Sequence, residues 1–388
     1  MKNNFCHQCL CDGSIDEFFF VEKTNKCNLC ILQDKFEKHY KRDKGYNYQI
    51  VNKIKKTKGE YDCILGISGG LDSSYLLHIA VKEYGLKPLC VYFNNGFGNP
   101  TAGENITNMC NKLNVKFLIL TSDWKLTKSI KKSILKASVP EMTLDSDLGF
   151  HSALYTTAAK YNIKWIITGY DTFSEGIYPL SWNYMDSEYL RDIHGKYGDK
   201  GVIFEKFSTI KHSFNFGIKE FFYFSIIKQI KLFNPYENIS FNREKVKKFL
   251  INNYAWEYPG AKYMDDLFQS LMDYVLLRKF NIDRRKIHLS ARIRNKEITL
   301  EEGKKILKNK SKTIRVDNIR LCLKRLEIDW KFIKNCMNKE RKNYNNYKTS
   351  YNLLKFFKKT LKLLSKLRII PVSHYYKFFG LKDIIDEN

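Results

Sequence analysis

Three features of this 388-residue chain predict an α/β fold: a doubly wound parallel sheet with an N-terminal zinc ribbon and a basic, mostly helical C-terminal region. Short apolar runs alternate with helical patterns between residues 61 and 169, the rhythm of βαβ units. Two Cys-x-x-Cys pairs, separated by 17 residues, lie within the first thirty positions. The charge is lopsided. Of a net +26, residues 1–200 hold 26 basic and 22 acidic side chains, and residues 201–388 hold 41 and 19.

These features divide the chain into a zinc-ribbon-like segment (1–45), a nucleotide-type α/β domain (46–205), a helical substrate or partner region (206–338) and a basic amphipathic tail (339–388). At 44% hydrophobic and 15% aromatic residues the chain can bury a sizeable core, which excludes general disorder. The basic excess fits nucleic acid, anionic lipid or phosphate-bearing substrates. Abundant Lys, Asn, Ile, Phe and Tyr beside scarce Arg is also what AT-rich coding produces. Nowhere does an uncharged apolar run reach the ~18 residues of a membrane span. Residues 1–6 lack the apolar core of a signal peptide. The expected location is the cytoplasm, with ten reduced cysteines acting as ligands or core residues.

The front of the chain is read first. Cys6-His7-Gln8-Cys9 and Cys27-Asn28-Leu29-Cys30 are knuckles whose tight turns aim paired thiolates at one ion. Cys6, Cys9, Cys27 and Cys30 are the expected ligands of a closed, structural Zn²⁺. Phe18-Phe19-Phe20-Val21 supplies the hairpin between them.

Next, Tyr61–Ile67 reads as a buried strand running into Ser68-Gly69-Gly70-Leu71-Asp72-Ser73-Ser74 and then a helix. Strand, glycine loop and helix together expose backbone N–H groups and a positive helix end to a phosphate. Without a Lys after the glycines this is not G-x-x-x-x-G-K-[ST], and it is not G-x-G-x-x-G. Further strands are expected at 86–93, 116–120 and 164–169, with helices around 102–113, 125–137 and 150–161. Ligands of open parallel sheets sit beyond the carboxyl ends of the strands. That rule gathers Ser68–Ser73, Asn94–Gly96 (with Asn95), Asp123 and Thr168–Asp171 (with Gly169) along one edge. Asp171 and Glu175 become candidate Mg²⁺ or substrate carboxylates, or solvated loop acids.

The six residues Ser68–Ser73 resemble the loop of the ATP pyrophosphatases, the PP-loop or adenine nucleotide alpha-hydrolase-like superfamily. The resemblance implies that ATP is cleaved between its α and β phosphates, leaving AMP on a substrate oxygen. Ser68, Gly69, Gly70, Leu71, Asp72 and Ser73 would then hold pyrophosphate, with Asp72 orienting the loop or helping to hold Mg²⁺. A wider resemblance rests on Ser133–Glu141, His151–Tyr155 with Ala158-Ala159-Lys160, Ile167-Thr168-Gly169, Lys279–Ser290 and Thr299–Gly303, together with the front knuckles. These are similar to the N-acetyl sugar amidotransferase family, over roughly residues 5–310.

That family converts a sugar acetamido group to acetamidino in lipopolysaccharide O-antigen and flagellar nonulosonic acid (pseudaminic acid) biosynthesis. The resemblance implies ATP, Mg²⁺ and structural Zn²⁺ as cofactors and a nucleotide- or carboxylate-bearing acetamido sugar as substrate. It also implies ammonia from separate glutaminase and cyclase-like subunits, similar to those of histidine biosynthesis. No glutaminase signature occurs in this chain. The expected catalytic residues are Asp72, Ser73, Arg284 and His288. Arg284-Arg285-Lys286 forms either an anion fork or an exposed basic turn. Two departures stand out. The second strand ends Asn94-Asn95-Gly96-Phe97 where the family has Asp-Asn-Gly-Trp, and Gly260–Tyr263 lacks the usual His.

The rival reading is a tRNA-modifying PP-loop enzyme of the thiolase type, in which the basic back half would grip phosphates. Against it, Cys63, Cys90 and Cys110 are isolated, and no further Cys-x-x-Cys pair stands near the active edge. A non-catalytic nucleotide-binding scaffold is a third class, disfavoured by the intact loop. Phe221–Ile227 is too short to span a bilayer and is expected as a core helix. Residues 347–368 form a basic amphipathic helix. It would lie on an anionic membrane, peripheral to the inner membrane, or dock a partner, or pack on its own domain.

Overall fold

The computed structural model describes residues 6–387 apart from 22–23, 41–42, 58, 171–174, 204–215, 240, 261–263, 310, 368–369 and 371. Five parallel strands, β1 Cys63–Gly66, β2 Pro88–Asn94, β3 Phe117–Thr121, β4 Trp165–Ile167 and β5 Lys231–Phe233, pair in the order β3-β2-β1-β4-β5. β1 is buried at every position because the sheet is covered on both faces, as parallel sheets are. Its alternating side chains feed two cores. Ile64 joins Leu89, Val91, Leu148 and Leu154, whereas Leu65 joins Cys90, Leu76, Met109 and Trp256. The helix Leu144–Lys160 packs on the first face. Leu71–His78, Pro100–Leu113 and Arg243–Tyr254 pack together on the second. β3 is an edge strand, and its Ile119 is 56% exposed.

Element starts follow capping chemistry. Asn99 accepts from Thr101 N–H ahead of Pro100, which sits at the first helical turn, where it needs no N–H partner. Asp123 caps Trp124–Ala137 through Leu126 N–H at 2.7 Å. That is its job here, and it lies outside the cavity described below. Beneath the second strand, Lys131 and Asp145 form an ion pair of 2.8 Å with both side chains wholly buried, the ammonium resting 3.9 Å over the Phe268 ring.

Several expectations change. The sheet takes its fifth strand from 231–233, beyond the expected boundary at 205. The hairpin around Phe18–Val21 is short: among the described residues one antiparallel bridge, Phe20 to Cys27, is flanked by the bonds Val21 N–H to Lys26 O and Asn28 N–H to Phe19 O before the second knuckle enters the helix Asn28–Tyr40. Phe221–Ile227 is helical and only partly core: Phe224 is buried in the main core with Phe221 and Tyr223 packed against it, whereas Ile226 and Ile227 are 63% and 69% exposed. The helix expected over 347–368 is two, Tyr351–Phe356 and Lys358–Lys366, meeting at Phe357, and further helical turns follow over Val372–Tyr375, Tyr376–Gly380 and Leu381–Glu387. Among the described residues no helix is long and apolar enough to cross a membrane.

Candidate functional site

The glycine loop leaves β1 and turns into the helix Leu71–His78, capped by the Gly70 backbone. Gly69 has φ +77°, and a Cβ there would lie 2.0 Å from the Ala102 carbonyl oxygen, so only glycine fits. Its own carbonyl accepts from Trp256 Nε1 and from Asn105 Nδ2, each at 3.1 Å. Ser68 N–H donates to Ser73 Oγ at 3.1 Å, and Gly70 N–H to Ser68 Oγ at 3.3 Å. The loop is therefore held from behind, with the free N–H groups of the first helical turn facing forward.

Asp72 is gripped by Arg243, with Nη1 to Oδ1 at 2.7 Å and Nη2 to Oδ2 at 3.2 Å, while Tyr236 OH donates to the Asp72 carbonyl at 2.7 Å. Asp265 faces Gly70, its Oδ2 3.2 Å from where a Cβ would stand. Burial pushes the Asp265 carboxyl up to about 6 against a hydrogen bond from Ser68, and the charges of Asp266 and Asp72 push the same way.

These groups open on a cavity of about 1410 Å³. Ser68, Gly70, Leu71, Asp72 and Ser73 line it, with Gly69 turned behind them. Thr168 and Gly169, just past β4, and Glu175 also line it. Asp171 lies outside the described residues, as do Ala261–Tyr263. Asn95 is not brought to the cavity. Its Nδ2 donates to Ser146 Oγ and Asp266 Oδ2, and its Oδ1 accepts from Phe97 N–H, so both donors and the oxygen are engaged inside the protein.

Of the basic triplet, only Arg284 lines the cavity, and it is held by Asp273 at 2.7 Å and Gln269 at 2.8 Å. Arg285 pairs with Asp283, and Lys286 reaches Asp12 at 2.7 Å, so these two are structural cross-links. His288 sits one layer back. Its Nδ1 donates to the Glu175 carbonyl at 3.1 Å, so Nε2 accepts from Tyr178 OH at 2.7 Å, and it is Tyr178 that meets the cavity.

Sequence reasoning missed Arg243, Asp265, Tyr236 and Trp256, which reach the loop from a stretch with no spacing motif. It also missed a buried polar end of the cavity. There burial raises Glu141 to about 8 and Asp147 to about 6, lowers His151 to about 4, and lowers Lys377 to about 8 against the pull of Asp147 and Glu141. The one available signal was the Asp147/His151 spacing of four on a helix.

The front knuckles converge. All four Sγ atoms of Cys6, Cys9, Cys27 and Cys30 lie within 4.8 Å of one another, with Cys6–Cys30 at 3.8 Å and Cys9–Cys27 at 3.7 Å. A tetrahedron of thiolates at ~2.3 Å from Zn²⁺ has edges of about 3.8 Å, so the donor set and its size fit structural zinc. Cys11 stays beside the cluster without joining the four: its thiol interacts with those of Cys9 and Cys27 and donates to Ser290 Oγ at 3.3 Å, and its N–H donates to Cys9 Sγ at 3.4 Å.

A family model described as "LPS biosynthesis protein WbpG-like, C-terminal domain" matches residues 244–361. Over 119 residues, 31% of this chain and 43% of the relative, the chain is 29% identical to the uncharacterized protein MJ1599 of Methanocaldococcus jannaschii. Over 59 residues, 15% of this chain and 11% of the relative, it is 39% identical to GMP synthase [glutamine-hydrolyzing] of Vibrio atlanticus. The chain thus spans less than half the length of either curated relative. Residues 244–361 are similar to a domain of LPS biosynthesis proteins.

Proposed function

We propose that this chain is a PP-loop sugar amidotransferase. It would use ATP to activate the acetamido group of a sugar and replace the amide oxygen with ammonia-derived nitrogen in lipopolysaccharide or nonulosonic acid biosynthesis. The observation that carries the reading is the Ser68–Ser73 loop, pinned from behind at Gly69 and opening on a cavity of about 1410 Å³. That exceeds the ~300–1,000 Å³ of sites for one drug-sized ligand and leaves room for a nucleotide and a sugar together. The similarity of residues 244–361 to an LPS biosynthesis domain supports the substrate class. Helices on both sheet faces support the doubly wound reading.

An amide is a poor electrophile with a poor leaving group. In the proposed reaction its oxygen attacks the α-phosphorus of ATP, and pyrophosphate leaves. Ammonia then adds to the imidate carbon and AMP departs, giving the amidine. The loop N–H groups and the helix end bind the departing pyrophosphate. Arg243 fixes Asp72, and Arg284 meets the substrate's anionic group. Asp265 and Asp72 are the oxygen donors on this chain suited to Mg²⁺, which neutralises phosphate charge when bound. Asp147, which lines the cavity and is raised to about 6, is the carboxylate on this chain suited to take a proton released by ammonium. Ammonia would come from a separate glutaminase with a cyclase-like channel subunit, in the cytoplasm.

The test is AMP and pyrophosphate release from ATP with ammonium present, against UDP-acetamido sugars and nonulosonic acids in one set and unmodified tRNA in the other. Sugar-dependent release, with oxygen exchanged for NH in the product, is the expected result. Release with tRNA alone replaces this reading with the thiolase one.

A further inference from the structure

The apolar side chains of the tail divide between the cavity and solvent. Leu354, Leu361 and Leu364 turn inward and line the cavity. Leu353, Phe356, Leu363 and Leu367 are 50%, 81%, 57% and 61% exposed. At about 100° per residue Phe356, Leu363 and Leu367 fall within about 40° of one another, more than a quarter-turn from Leu354 and Leu361, while Leu353 and Leu364 lie between the two groups. The helical ladder crosses the junction, with Phe357 N–H to Leu353 O at 3.2 Å and Leu361 N–H to Phe357 O at 2.9 Å, so the stripe is continuous.

Lysines flank it. Lys355, Lys359 and Lys366 are exposed alongside and have no ion pair among the described residues, while Lys358 and Lys362 lean on Asp383. From Arg341 to Lys382 the sequence has eleven Lys and Arg and no acidic residue. The stripe is also continuous with an opening of the cavity. Leu367 lines both, and the cavity is also lined by Phe222 and Ile226, themselves 40% and 63% exposed.

We propose that this face seats on an anionic phospholipid surface, with Phe356, Leu363 and Leu367 entering the headgroup boundary and the flanking lysines meeting the lipid phosphates. Exposed apolar side chains between lysines are the pattern of interfacial helices. Protein interfaces are instead depleted in Lys, and phosphate grip on a nucleic acid has no use for a leucine and phenylalanine stripe. The inference does not depend on the reaction proposed above.

The test is co-sedimentation of the full chain with phosphatidylcholine vesicles, with and without phosphatidylglycerol. Binding is expected only with phosphatidylglycerol, falling as salt is raised. Lys359→Glu with Lys366→Glu should weaken partitioning more than tenfold, since each lysine at such a surface accounts for roughly fivefold. Phe356→Ser with Leu363→Ser, both at exposed positions, should abolish the salt-resistant fraction with thermal stability unchanged. Equal binding to both vesicle types overturns the proposal, as does no binding to either. Wild-type partitioning that ignores salt overturns it without recourse to any variant.

Discussion

Arg243 forks onto Asp72 through two hydrogen bonds, 2.7 and 3.2 Å, and so couples the first turn of the loop helix to a helix 171 positions further along the chain. Both side chains are mostly shielded, at 15% and 17% exposure. Hydrogen bonds to charged groups in such settings contribute about 1.5–3 kcal/mol. Arg243→Ala should lower stability by about that much and weaken ATP binding at least tenfold, read by thermal melting and calorimetry. Arg243→Lys keeps the charge and loses the fork, so it should recover stability better than ATP affinity. An unchanged ATP affinity in Arg243→Ala would remove Asp72 from the nucleotide site.

Gly69 gives a sharper prediction. With φ +77° and the Ala102 carbonyl 2.0 Å from any Cβ, Gly69→Ala must push the loop off the Pro100–Leu113 helix. The backbone cost alone is about 1–3 kcal/mol. Because Trp256 and Asn105 hold the same carbonyl, the displacement carries their hydrogen bonds with it. The expected outcome is a folded protein, lower melting and no detectable ATP binding. Gly103, where a Cβ meets nothing within 4 Å, is the control: Gly103→Ala should bind ATP as the natural chain does.

Asp265 sets a pH dependence. Its carboxyl is raised from the ordinary 3.8 to about 6, by burial first and by Asp266 and Asp72 after, against the Ser68 hydrogen bond. A raised carboxyl binds its proton more tightly in the folded state. Its contribution to stability is therefore largest below pH 3.8 and declines as pH rises through about 6. A divalent cation competes with that proton, so Mg-ATP affinity should climb as pH passes through about 6. Asp265→Asn should flatten the climb. A wild-type profile without that inflection would take Asp265 out of metal binding.

How far the sequence alone could go is visible at particular residues. The loop was legible because its chemistry is local: two glycines, three hydroxyls and a helix start lie within seven residues, bounded by a strand. The knuckles were legible for the same reason. Asn95 was not, because a strand-end position gives no hint that its amide is consumed by Ser146 and Asp266. His288 lay in a family-like run, yet packing put it behind Tyr178. Arg243 and Asp265 were invisible, since no periodicity marks a side chain that acts on a loop from across the fold. Ile226 and Ile227 failed in the opposite direction: an apolar heptapeptide reads as core throughout, and only the tertiary arrangement buries Phe224 while leaving the two isoleucines on the surface.

The zinc knuckles join the region beside the cavity at several points. Leu10 N–H donates to Ser290 Oγ at 2.9 Å, Lys286 reaches Asp12 at 2.7 Å, and Arg294 Nη1 donates to Cys30 Sγ at 3.6 Å. All these partners sit on the helix Arg285–Arg294, which also carries His288. A Cβ at Gly303 would press on Leu10 and Ile293 at 3.0 and 2.8 Å, so the next helix is fitted against the same knuckle. Four thiolates predict one tightly held zinc per chain, measurable by elemental analysis, and its removal should loosen this layer before the sheet. Chelation, or Cys9→Ser, should raise amide exchange across residues 285–303 while the helix Pro100–Leu113 keeps its protection. Loss of protection in both at once would mean that the zinc segment supports the whole fold, and no loss in either would mean that the four sulfurs hold no ion.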